Sequence, residues 1–114
     1  MHREVGSLID FYNVQFYNQG NTEYSTYERL FVHSQGFFAG TAVSEIVAAG
    51  VQSDKVVVGK PATPADAANT GYVSSASLAQ FVARANRELG WKAGVMFWQY
   101  KNDADGTKMS ECVQ

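Results

Sequence analysis

The chain has little of several things that would have directed a functional reading at once. Its 114 residues include one cysteine, Cys112, so no internal disulfide can form, and no Cys/His spacing for a zinc site is present. The formal net charge is only −2, with acidic and basic residues interspersed, so no basic stripe is available to neutralise a phosphate backbone, and nucleic acid is excluded as a partner. No apolar run approaches the roughly 20 residues of a membrane span, and "MHREVGSLID" lacks the apolar centre of a secretory signal. No membrane partner is expected, and localisation stays unassigned. Low-complexity tracts and sequence repeats are absent.

What is there suits one packed domain. Hydrophobic residues make up 46% and charged residues 18%, the balance of a globular chain that can bury a core. Residues 11–18, "FYNVQFYN", are aromatic and β-branched and stop at "NQGN", which predicts a strand. "KVVVGKPA" (55–62) places three valines before Gly59 and Pro61, the continuous pattern of a strand covered on both faces; "KAGVMFWQY" (92–100) has the same character. Between the first two strands, "TAVSEIVAAG" predicts a short helix, with Val43, Ile46 and Val47 on one side, Thr41 as cap and Gly50 at the end. "SSASLAQFVARANRELG" predicts a longer one, with Leu78, Phe81, Val82, Ala85 and Leu89 as its apolar stripe, Ser74 or Ser75 as N-cap and Gly90 as terminator. Residues 19–39 are too aromatic for a slack linker and predict a packed loop with a short helix at "STYERLF".

The order is β, α, β, α, β, with strand separations long enough for crossovers, so the strands are expected to run parallel and to gather their polar ends at one carboxyl edge. Side chains alternate along a strand. Gln15 and Tyr17 therefore share one face and Val14 and Phe16 the other, while Met96 and Trp98 point together, opposite Val95 and Phe97. Two strands thus end in polar or amphipathic groups. Such a Tyr or Trp can contact a ligand, or can equally fill a core with its polar atom satisfied.

"IDFYNVQFYNQG", "KVVVGKPATPADAANTGYVSS" and "GVMFWQYKNDADG", in this order and at this spacing, together resemble the C-terminal part of the family 18 glycoside hydrolases, closest to the class III, hevamine-like chitinases. The resemblance implies an α/β fold, a partial (β/α)8 TIM barrel comprising the last three βα units, with parallel strands near 11–18, 55–60 and 93–99, so that 1–114 forms a single incomplete barrel segment. It implies that Tyr17 is catalytic, reaching the N-acetyl group of the sugar at the cleavage point. Gln15 and Asn18 contact substrate beside it, Trp98 is the apolar floor beneath the ring, and Pro61 and Ala62 line the groove. A rigid turn ending the strand is an equally good account of Pro61 and Ala62. The implied partner is chitin or an N-acetylglucosamine oligosaccharide, with no cofactor and no metal. Another chain completing the barrel, or further copies of this one, is a second class of partner. The family is commonly extracellular.

One part of the family's pattern is missing. Its general acid is the last residue of a D-x-x-D-x-D-x-E strand, and that string occurs nowhere in this sequence. Asp66, Asp103 and Asp105 lie in loops without that spacing. Losing a general acid costs on the order of 10²- to 10⁴-fold in rate, so the chain by itself is expected to be inactive. Other motifs fail on inspection. "NDADGTKMSEC" matches a calcium loop at Asp103, Asp105 and Gly106, but has Lys101 and Cys112 where carboxylates are required. "GKPATPADAANTG" lacks the order of a phosphate-binding loop. His2 and His33 have no ligand-spaced partner, and local bonding or solvent is expected for both. Tyr24, Tyr27 and Tyr72 either extend a sugar-stacking surface or pack the long loops.

Overall fold

The computed structural model describes residues 2–19, 24–35, 39–68 and 71–99. The chain begins with a single helical turn, α1 (His2–Val5), and a 3-10 turn, Gly6–Leu8, before strand β1 (Tyr12–Gln15). A five-residue π-helical turn, Glu28–Val32, and helix α2 (Val43–Ala48) lead to strand β2 (Val56–Pro61). Helix α3 (Ser75–Leu89) then leads to strand β3 (Val95–Trp98). The three strands form one sheet in the order β1-β2-β3, with both pairings parallel. This is an α/β fold with a small parallel sheet of three strands.

The register fixes which side chains share a face. Val14 pairs with Val58, and Val58 with Val95; Gln15 pairs with Gly59, and Gly59 with Met96. One face therefore carries Val14, Val56, Val58 and Val95 and packs under the helices. The core on that side joins Val56 and Val58 to Phe16, Tyr24, Tyr27, Leu30, Phe31, Val43, Leu78, Ala85 and Trp91. Phe31 meets Trp91 edge to face at 5.0 Å between centroids, and the Trp91 indole donates to the Val56 carbonyl at 2.8 Å, so its polar atom is satisfied inside the core. The other face carries Asn13, Gln15, Val57, Gly59, Met96 and Trp98. Asn13 and Gln15 are exposed, and Val57 is only half buried.

Several expectations are corrected. β1 and β3 are shorter than 11–18 and 93–99 at their ends, and β2, expected at 55–60, continues through Gly59 to Pro61 where those residues were expected to close it. β2 is buried at every position except Val57, which is half buried, so the strand is covered on both faces over most of its length. Gly59 is needed within the strand: a Cβ there would lie 2.7 Å from the Val14 carbonyl oxygen and 2.9 Å from Met96. Ala42, not Thr41, stands at the N-cap of α2. Thr41 is engaged with Tyr24 and Ser34, while Glu45 reaches back to the Ala42 N–H at 3.2 Å. On α3 the stripe is buried at Leu78 and Ala85 and partly buried at Phe81 and Val82, but Leu89 in the last turn is exposed. Ser74 is the N-cap, accepting from the Ser77 N–H at 3.2 Å, and Gly90 ends the helix in the left-handed region at φ 69°. Of the two accounts of Tyr24 and Tyr27, packing holds: both are buried in the core.

Candidate functional site

The carboxyl edge of the sheet is assembled from the ends of all three strands. Beyond Gln15 the parallel ladder continues, with the Phe16 N–H donating to the Gly59 carbonyl at 3.1 Å. Carrying the β1–β2 register on by two residues aligns Tyr17 with Pro61, and Pro61 pairs with Trp98. Tyr17, Pro61 and Trp98 thus occupy one row on the face opposite the helices, Tyr17 and Trp98 being two inter-strand spacings apart, roughly 10 Å. Gln15 lies one row below, level with Met96.

Each residue of the row has a different environment. Tyr17 is 5% exposed, and burial raises the pKa of its phenol, which stays neutral and able to donate. Among the described residues its hydroxyl has no hydrogen-bond partner. Trp98 is 52% exposed, a large aromatic face left open to solvent at a strand end. The peptide that follows it, Trp98–Gln99, is cis. Pro61 and Ala62 are buried, and the Ala62 N–H donates to the Trp98 carbonyl, tying the start of the β2 loop to the end of β3. Gln15 presents its amide on the exposed side of β1.

The loops at this edge are held by their own polar groups. Asn18, in the left-handed region at φ 62°, accepts from the Ala68 N–H at 2.6 Å, joining the loop after β1 to the loop after β2. Asp66 accepts from the Thr63 N–H and hydroxyl at 3.1 and 2.9 Å and from the Gln99 side chain at 3.3 Å. A carboxylate engaged in that way braces the rim. The polar loop with Asp103 and Asp105, whose calcium-loop pattern fails in sequence, lies outside the described residues.

Sequence reasoning missed Lys60. It sits on the helix side of β2, fully buried, and donates to the carbonyls of Phe16, Tyr24 and Gly71 at 2.9, 2.6 and 2.8 Å. Burial pushes its pKa down to about 7, and the three carbonyls oppose that shift by favouring the ammonium. The only available signal was a lysine at a parity position reserved for apolar residues.

No group of three or more His, Cys, Asp or Glu side chains that could hold a metal occurs among the described residues. His2 is bonded locally, to the Tyr12 hydroxyl at 2.7 Å and to Gln52 at 2.9 Å. No helix among the described residues is long and apolar enough to cross a membrane. An open hollow of about 520 Å³ is lined by Asp10, Asn13 and Asp54 toward the amino-terminal end of the strands and extends along β3 to Met96 and Phe97, next to Trp98. Sites of parallel α/β sheets form at the carboxyl ends.

No protein-family model matches the sequence, and no curated protein matches it. Solved structures do match the fold. A GH18 chitinase from Pseudoalteromonas aurantia superposes with a TM-score of 0.72 and 25% identity, over 96% of this chain and 36% of that one. A fungal endo-beta-N-acetylglucosaminidase of glycosyl hydrolase family 18 gives 0.69 and 25%, over 98% and 36%. A family GH18 chitinase from Cycas revoluta, at 16% identity and a TM-score of 0.64, shares the fold over 97% of this chain and 48% of that one. The chain thus resembles the family 18 glycoside hydrolases over nearly its whole length and spans about a third to a half of those proteins.

Proposed function

We propose that this chain is the C-terminal segment of a chitinase-like barrel, its last three βα units, and that it contributes the substrate-contact side of a site for β-1,4-linked N-acetylglucosamine. The observation that carries this reading is the row Tyr17–Pro61–Trp98 at the carboxyl edge, with a buried phenol that has no hydrogen-bond partner among the described residues at one end and an exposed indole at the other. The indole face supplies apolar contact matched to the C–H surface of a sugar ring. The neutral phenol donates a hydrogen bond to the acetamide. Gln15 and Asn18 add polar contacts, and Pro61 and Ala62 form the wall between them.

The chemistry this serves is substrate-assisted retaining hydrolysis, an exception to the two-carboxylate scheme. The acetamide oxygen attacks the anomeric carbon as the glycosidic C–O bond breaks, giving a cyclic oxazolinium ion that water later opens. Tyr17 holds the acetamide in line and stabilises the charge that develops on it, so its part is positioning and electrostatics. The leaving oxygen needs a proton, and no residue of this sequence stands in the family's acid motif. This chain alone therefore binds and does not turn over.

Titration of the 114-residue chain with the N-acetylglucosamine tetramer, followed by tryptophan emission, tests the reading. Saturable quenching is expected, weakened at least ~10-fold, or about 1.4 kcal/mol, by Trp98→Ala. A folded chain that gives no response removes the binding role. Hydrolysis of the tetramer that Tyr17→Phe abolishes would overturn the claim of inactivity.

A further inference from the structure

We propose that Lys60 is a positioning residue for the Tyr17 site, gathering three backbone carbonyls so that the loops after β1 and β2 close on Tyr17 from both sides. The inference rests on the reading of Tyr17 as a substrate contact. Its geometry stands separately.

The three acceptors come from three places in the sequence: Phe16, next to Tyr17; Tyr24, in the following loop; and Gly71, beyond the β2 loop. An ammonium has three N–H donors, and here all three are used. Gly71 lies directly against Tyr17, for a Cβ there would be 2.5 Å from the Tyr17 Cα, and its φ of +100° admits glycine almost alone. Holding the Phe16 and Gly71 carbonyls therefore fixes the backbone before Tyr17 and the backbone packed on it.

Tyr24 carries the hold further. It sits at φ 64°, a costly conformation for a bulky residue, and persists where its surroundings over-determine it. Lys60 takes its carbonyl, Thr41 meets its hydroxyl at 2.6 Å, and Phe16 meets its ring edge to face at 5.1 Å. From Thr41 the chain of bonds continues through Ser34 to Glu45 on α2.

Packing alone does not account for a lysine here. No carboxylate among the described residues pairs with the Lys60 ammonium, and a buried charge costs stability where an apolar side chain of similar volume would not. What an apolar side chain cannot do is bind three converging carbonyls. That is the geometry Tyr17 depends on.

The test compares the wild-type 114-residue chain with Lys60→Met, which keeps the volume and removes the donors. Tyr17 ring resonances are expected to shift and broaden, while the indole resonance of Trp91, in the core under β2, stays in place. Tetramer affinity is expected to fall about 10-fold or more. Lys60→Cys alkylated to the aminoethyl thioether restores an ammonium and should restore both readouts. A folded Lys60→Met chain with unchanged Tyr17 resonances overturns the proposal, as does one in which Tyr17 and Trp91 change alike. If the wild-type chain does not bind tetramer, the functional reading fails, and Lys60 is still judged by the Tyr17 resonances. If Lys60→Met does not fold, the ligand-free wild type decides. Its Lys60 ammonium protons must exchange slowly with water and cross-relax with protons of Tyr17 and Gly71; a freely exchanging ammonium overturns the proposal.

Discussion

At Glu45 a single carboxylate closes helix α2 onto the loop before it. It accepts from the Ser34 N–H at 2.8 Å, the Ser34 hydroxyl at 3.2 Å and the Ala42 N–H at 3.2 Å. Those donors, the Ser34 N–H first, outweigh burial and hold its pKa below the usual glutamate value. The folded state thus favours the ionised form. Its contribution is fully present above the unfolded pKa and is lost as pH falls through the folded one. Glu45→Gln is expected to lower stability at neutral pH and to flatten the acid side of the stability profile, measured by urea unfolding across that range. Strand parity makes legible at this scale that Tyr17 shares a face with Gln15 and Trp98 with Met96; that the two pairs lie on the same side of the sheet comes from the register. Lys60 was not legible: its burial depends on carbonyls 44, 36 and 11 residues away, and no local pattern encodes their convergence.

At the scale of elements, the longer helix follows its caps closely. Ser74 accepts from Ser77, Gly90 takes the left-handed conformation, and the stripe between them faces the sheet. Ser74→Ala is expected to cost about 1 kcal/mol, visible as a fall in Tm of roughly 4–8 °C. Gly59→Ala should cost more than that cap. Its Cβ would press on the Val14 backbone as well as on the flexible end of Met96, and the two strands cannot separate without losing their ladder. Calorimetry on the two variants checks the order. Helix α2 starts one residue later than its sequence indicates, with Ala42 and not Thr41 at the N-cap. A hydroxyl bonded to Tyr24 and Ser34 is no longer available as a cap, and Glu45 serves from inside the helix instead.

On the scale of the whole molecule, a three-stranded parallel sheet has its helices on one face, while Asn13, Gln15 and Trp98 stand exposed on the other. Among the described residues β1 and β3 are both edge strands, and open edges invite pairing. The mean mass from sedimentation equilibrium is therefore expected to rise with concentration, and the melting temperature with it; a concentration-independent monomer with a sharp transition would count against such pairing. What the sequence determined by itself was the local part: the order of strands and helices, set by apolar periodicity and turn residues, and the sharing of a face by Gln15 with Tyr17 and by Met96 with Trp98, each within its own strand, set by the two-residue repeat of a strand. Register was decided only in three dimensions, because the alignment of Tyr17 with Pro61 and Trp98 depends on how far each crossover slides its strand. So was the burial of Lys60, whose ammonium is stable inside the protein only where backbone from three distant segments turns its carbonyls toward one point.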